Sequence, residues 1–124
     1  MREKITGRCL CGATTFSVSS APRFGIRCFC TDCQHVSGGA SAPQVGFERS
    51  HLDISGPLLI HERKSASGSD LAFGYCRDCG SPLTKSTTRA ADLIFVYAGA
   101  LDDASVVPEL KPVFEDSRPV WDKG

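Results

Sequence analysis

The seven cysteines of this 124-residue chain fall into three tight groups, Cys9-x-Cys11, Cys28-x-Cys30-x-x-Cys33 and Cys76-x-x-Cys79, and that grouping constrains the fold more than any other feature. Seven thiols cannot all pair, and at about 6% of the residues they fall short of the roughly 8–10% of a disulfide scaffold. Disulfide partners are also normally spread along a chain, whereas these thiols crowd into short segments. A bound metal explains the crowding better.

In an extended segment alternate side chains share a face, so Cys9 and Cys11 can present both sulfurs to one ion, as can Cys28 and Cys30. Cys76-x-x-Cys79-Gly80 is a zinc-ribbon-like knuckle. There the chain turns between the thiolates, backbone N–H groups donate to sulfur, and the glycine takes up the dihedrals that close the turn. Cys9, Cys11, Cys76 and Cys79 together supply the four sulfurs of a closed tetrahedral zinc site that ties the first strand to a late hairpin. Cys28, Cys30 and Cys33 then form a local cup one ligand short. Three protein ligands with an exchangeable fourth are the arrangement of catalytic zinc, so the open corner is where a substrate's own sulfur is expected. The spacing also allows Cys9 and Cys11 to join Cys30 and Cys33 instead. A redox cycle between Cys30 and Cys33 is disfavoured, because no thioredoxin-like βαβ pattern surrounds them.

The remaining composition narrows the partners. Fourteen basic residues balance fourteen acidic ones, so no broad field attracts nucleic acid or an anionic membrane surface. The longest apolar stretch, Leu93 to Ala98, is far short of the roughly 20 residues that span hydrocarbon. Met1 to Ile5 runs into Thr6-Gly7-Arg8-Cys9 without the apolar core of a secretory signal, and reduced thiols suit a cytoplasmic location. The length predicts one domain over residues 1–124 and leaves the oligomeric state open.

The chain reads as mainly β. Strands are expected at 13–18, 24–28, 43–48, 52–54, 58–62, 71–75 and 93–98, separated by turns at Ala21-Pro22, Gly38-Gly39, Ser55-Gly56-Pro57 and Gly80-Ser81-Pro82. Phe73-Gly74-Tyr75 and Pro82-Leu83-Thr84 are the two arms of a hairpin around the knuckle. Only Asp32 to Ser37 looks helical, with Gly38-Gly39 to stop it. Ser65 to Asp70 has little to bury and reads as a mobile loop. The tail from Pro108 to Pro119 is expected to wrap in extended form without pairing centrally in a sheet, with Trp121 pinning its end.

Taken together, Gly7-Arg8-Cys9-Leu10-Cys11-Gly12, Cys28-Phe29-Cys30-Thr31-Asp32-Cys33-Gln34-His35 with Ser37-Gly38, Tyr75-Cys76-Arg77-Asp78-Cys79-Gly80-Ser81-Pro82-Leu83, Ala98-Gly99-Ala100-Leu101-Asp102-Asp103 and the closing Arg118-Pro119-Val120-Trp121 resemble the glutathione-dependent formaldehyde-activating enzyme family, also called centromere protein V-like. The resemblance implies an Mss4-like fold of several short antiparallel sheets with zinc-ribbon-like knuckles. It implies two zinc ions per chain: a structural one at Cys9, Cys11, Cys76 and Cys79, and a catalytic one at Cys28, Cys30 and Cys33 that can be left partly filled. It also implies carbon–sulfur lyase chemistry on a thiol such as glutathione and a small aldehyde, giving S-(hydroxymethyl)glutathione from formaldehyde. The chain departs from the family at Lys111-Pro112-Val113-Phe114, which lacks a histidine that many relatives carry there.

Neighbours of the cup are candidates for substrate contact. Arg27 is placed to bind a glutathione carboxylate, and His35 to shuttle a proton or ligate; the plainer readings are a solvated arginine and a surface histidine. Arg8 and Arg77 flank the structural ligands, and Asp32 is expected to serve the local turn. His51 and His61 read as exposed, and Phe95 and Tyr97 as core. A competing function of another class is a non-catalytic zinc module that binds a protein partner, with the cup as a weaker structural site.

Overall fold

The computed structural model describes residues 4–123, so the reading of Met1, Arg2 and Glu3 lies outside the described residues. Ten strands and one helix follow in the order β1 (Ile5–Arg8), β2 (Thr15–Val18), β3 (Phe24–Cys28), α1 (Thr31–Ser37), β4 (Ala42–Glu48), β5 (Leu52–Ser55), β6 (Leu58–Lys64), β7 (Asp70–Cys76), β8 (Pro82–Thr87), β9 (Leu93–Tyr97) and β10 (Leu110–Val113). They build a three-stranded sheet, β1-β2-β5, and a seven-stranded sheet, β10-β3-β4-β9-β8-β7-β6. Every described pairing is antiparallel except that of β10 with β3. No helix of the described residues is long and apolar enough to cross a membrane.

Directly paired residues share a face of a sheet, so the register sorts the large sheet into two sides. Val45 pairs with Val96 and Phe47 with Ile94, and all four pack with Phe16 and Val18 of the small sheet in the main core. Gly7 of β1 lies so close to the Phe16 ring and the Ala100 carbonyl that a β-carbon has no room, which is why glycine stands there. On the opposite side, Cys28 pairs with Ala42, Gln44 with Tyr97, and Phe95 with Lys85. Helix α1 packs on this side through Cys33.

Local chemistry sets the helix ends. Cys30 is the N-cap, its sulfur accepting from the Cys33 N–H at 3.4 Å, and Gly38 closes the helix in the left-handed region at φ 73°. The expected stop at Gly38 is therefore found, with the helix starting one residue earlier than expected, at Thr31.

Two expectations are corrected. The stretch read as a mobile loop is a tight hairpin turn: the Ser65 N–H donates to the Ser69 carbonyl at 2.8 Å, Gly68 N–H returns to the Ser65 carbonyl, and Ser69 is buried. Backbone and serine hydroxyl hydrogen bonds replace the apolar burial the segment lacks. Trp121 does not pin the tail, being 64% exposed. The tail is held instead by Gln34, whose amide donates to the Phe29 and Ser117 carbonyls, and by Arg118, stacked 5.3 Å over Phe29. As expected, β10 runs at the sheet edge, where Pro112 costs no central hydrogen bond.

Candidate metal centres

Two groups of thiols converge. Cys9 and Cys11 follow β1, Cys76 ends β7, and Cys79 lies across the turn into β8; their four sulfurs lie within 4.8 Å of one another. Cys9 and Cys11 sulfurs are 3.6 Å apart, and those of Cys11 and Cys76 are 3.8 Å apart. Ligands at about 2.3 Å around a tetrahedral ion stand roughly 3.8 Å from each other, whereas a disulfide needs about 2.05 Å. The donor set therefore fits a metal. The spacing-allowed alternative, Cys9 and Cys11 with Cys30 and Cys33, is not what the fold assembles.

The turn chemistry supports this first cluster. Thr14 N–H donates to Cys9 sulfur and Asp78 N–H to Cys76 sulfur, each at 3.3 Å, and the Ser81 hydroxyl lies 3.2 Å from Cys79 sulfur. Gly80, at φ 78°, donates its N–H to the Cys76 carbonyl and closes the knuckle. Hydrogen bonding to Ser81 and to the Cys11 backbone outweighs burial and holds the Cys79 thiol down to about 5, in the range expected of a ready ligand.

Cys28, Cys30 and Cys33 form the second cluster, again within 4.8 Å of one another, and among the described residues no histidine, aspartate or glutamate joins them. Cys28 ends β3, Cys30 caps α1 and Cys33 sits in its first turn, so three adjacent pieces of one segment aim their sulfurs inward. Cys28 and Cys33 are fully buried and Cys30 is half-buried. Hydrogen bonds to Cys28 and then Cys33 pull the Cys30 thiol down to about 2, while bonds to Cys28 and Cys30, together with burial, push Cys33 far up. A divalent ion would remove the distinction, because each ligand must then be a thiolate.

Three residues for which the sequence suggested no role at the cup lie around Cys33. The Lys85 ammonium, on a side chain only 9% exposed, donates to Cys33 sulfur at 3.4 Å, and the fully buried Gln44 amide donates to the same sulfur at 3.3 Å. Burial lowers the affinity of Lys85 for its proton, but the charges of Cys33, Cys28 and Cys30 outweigh it, so its pKa stands above the ordinary lysine value. Tyr97 packs in the same cluster with its buried hydroxyl unpartnered among the described residues, and burial followed by the negative sulfurs raises its pKa.

A cavity of about 440 Å³ opens beside Cys28, Cys30 and Lys85. Its walls are mainly apolar, from Ile26, Leu71, Phe95, Val113 and Phe114, with Arg89 a second cation. Phe114 is held in the left-handed region at φ 58°, the one non-glycine residue so placed among those described. Such backbone is costly for a bulky side chain and concentrates at ligand sites.

Arg27 and His35 fall elsewhere. Alternation along β3 turns Arg27 to the face opposite Cys28, where it lines a hollow with Phe29, Arg118 and Trp121. His35 is exposed on the helix, its Nδ1 bonded to the Thr31 carbonyl, and lines a second hollow with His61 and Tyr75. Neither lines the cavity beside the sulfurs. Asp32 borders both the His35 hollow and the cavity beside the sulfurs, and pairs with Arg63 at 3.4 Å. Arg8, Arg77 and His51 are exposed, whereas Phe95 and Tyr97 are buried as expected, although Phe95, read as core only, also lines the cavity beside the sulfurs.

The comparisons with known proteins agree with this architecture. A comparison with curated protein sequences finds no match. Among solved structures, the crystal structure of a Rhodobacter sphaeroides protein from a structural genomics programme matches with a TM-score of 0.68 at 19% identity, over 87% of this chain and 99% of that one, a likeness of fold. The family model of the glutathione-dependent formaldehyde-activating enzyme matches residues 4–117, which include both thiol clusters. By that match, which takes in nearly the whole sequence, the chain belongs to the glutathione-dependent formaldehyde-activating enzyme family.

Proposed function

We propose that the chain is a zinc-dependent carbon–sulfur lyase that makes and breaks a thiol–aldehyde adduct, with glutathione and formaldehyde as the pair suggested by its family. The observation that carries this reading is a three-sulfur cluster, without a fourth ligand among the described residues, two of whose members, Cys28 and Cys30, line a cavity of about 440 Å³. Zinc is the preferred ion because an all-sulfur donor set favours a borderline-soft metal.

In this reading Cys9, Cys11, Cys76 and Cys79 hold a closed structural site, and Cys28, Cys30 and Cys33 hold an open one. Cys28, Cys30 and Cys33 would hold the ion, which would supply an exchangeable position and lower the pKa of a thiol bound there. Lys85 and Gln44 keep Cys33 oriented by donating to its sulfur. The apolar part of the wall, from Ile26, Leu71, Phe95, Val113 and Phe114, lowers the polarity beside Cys28 and Cys30, and Arg89 is available to a carboxylate of the thiol. When the substrate sulfur attacks the aldehyde carbon, a C–S bond forms, the carbonyl π electron pair moves to oxygen, and that oxygen takes up from solvent the equivalent of the proton the thiol released. The reverse sequence cleaves the bond.

The test is exchange NMR on isotopically labelled formaldehyde and glutathione with zinc-loaded, reduced protein. Interconversion of free aldehyde and adduct should run at least about tenfold faster than without protein, and a rate equal to the uncatalysed one would remove the lyase reading in favour of a binding module.

A further inference from the structure

Lys85 is an unusual residue to bury, since a lysine is almost never enclosed without a partner. Its register makes the placement deliberate: it pairs with Phe73 of β7 and Phe95 of β9, so its neighbours in the sheet are aromatic rings on both sides. No carboxylate bridges to it among the described ion pairs, and its ammonium donates to Cys33 sulfur. The same side chain lines the cavity beside Cys28 and Cys30.

Charge addition gives the consequence. A divalent ion with three thiolates carries a net charge of about −1, and a fourth thiolate takes it to about −2 in a half-enclosed, mainly apolar pocket. One fixed ammonium at Cys33 brings those states to about 0 and about −1. We infer that Lys85 is a positioning residue, the built-in counter-charge of the three-sulfur site, which makes that site receptive to an anionic thiolate over a neutral ligand. The inference rests on the reading of this cluster as an open metal centre.

The experiment compares wild type, Lys85→Met and Lys85→Arg after cobalt loading of the reduced protein. Each is titrated with 2-mercaptoethanol, whose only charge when bound is on sulfur, and separately with neutral imidazole, following the cobalt absorption bands. Lys85→Met should weaken the thiol by roughly ten- to a hundredfold while changing imidazole by less than about twofold, and Lys85→Arg should recover most of the loss. Equal weakening of both ligands would mean a packing role only and overturn the inference, as would an unchanged thiol affinity. If Lys85→Met loses the wild-type far-UV spectrum, Lys85→Gln takes its place. If wild type binds neither ligand, the open-centre reading fails, and the inference, which needs that open position, falls with it.

Discussion

Cys76→Ser should leave a chain without a cooperative thermal transition, containing at most one metal ion. Cys76 is fully buried at the end of β7, its sulfur 3.8 Å from that of Cys11 and its carbonyl bonded to Gly80 N–H. The four-sulfur cluster is where β1, the knuckle and the β7–β8 hairpin meet, so it joins residues far apart in sequence. Metal binding at a site absent from the unfolded chain is folding free energy, on the order of 10 kcal/mol in small zinc peptides. Whole domains are stable by only about 5–15 kcal/mol. Losing most of the first quantity leaves little of the second, and circular dichroism with metal analysis would read both effects. A variant melting cooperatively within a few degrees of wild type would show that the cluster is not what holds the hairpin to the first strand.

Cys30→Ser should do the opposite. The cup is built from one continuous segment, and Cys30, half-buried, is its most accessible member. Its sulfur caps α1 by accepting from Cys33 N–H, and serine is among the best residues for that position, so the substitution removes a proposed metal ligand while keeping the cap. The expected result is a folded protein with a melting temperature close to wild type, one metal ion per chain instead of two, and no response to added thiol. Two retained ions, or collapse as complete as that of Cys76→Ser, would assign the cup to structure.

The contrast between these variants was legible in the sequence because cysteine spacing is local. The C-x-x-C-G turn and the C-x-C-x-x-C running into a short helix declare their geometry within a few residues, whereas Cys9-x-Cys11, expected in extended chain, lies in a turn closed by the Gly12 N–H donating to the Cys9 carbonyl at 3.2 Å with Gly12 at φ 82°. The strands flanking them were legible for the same reason, since alternation of Phe16 with Val18, or the apolar run at Leu93, needs no tertiary context. Strand β1 was not, as Ile5-Thr6-Gly7-Arg8 is short and gains its place only by pairing with β2 and receiving Phe16 over Gly7.

Lys85 was hidden by a bulge. In strict alternation Lys85 would share a face with Leu83, which lies in the main core. The pairing with β7 slips there, from Gly74 opposite Thr84 to Tyr75 opposite Pro82, so Leu83 and Lys85 fall on opposite sides of the sheet. Arg27 shows the converse error. Adjacency to Cys28 in sequence suggested adjacency in space, but neighbouring residues of a strand face opposite ways, and the cation beside the sulfurs comes from β8.

Cadmium NMR of the metal-substituted, reduced protein reads the coordination of both centres at once. Two resonances of equal intensity are expected, one typical of four sulfurs and one of three sulfurs with a lighter donor, the latter moving toward the four-sulfur position as thiol is added. A single four-sulfur resonance, or two that ignore the thiol, would contradict the open corner at Cys28, Cys30 and Cys33.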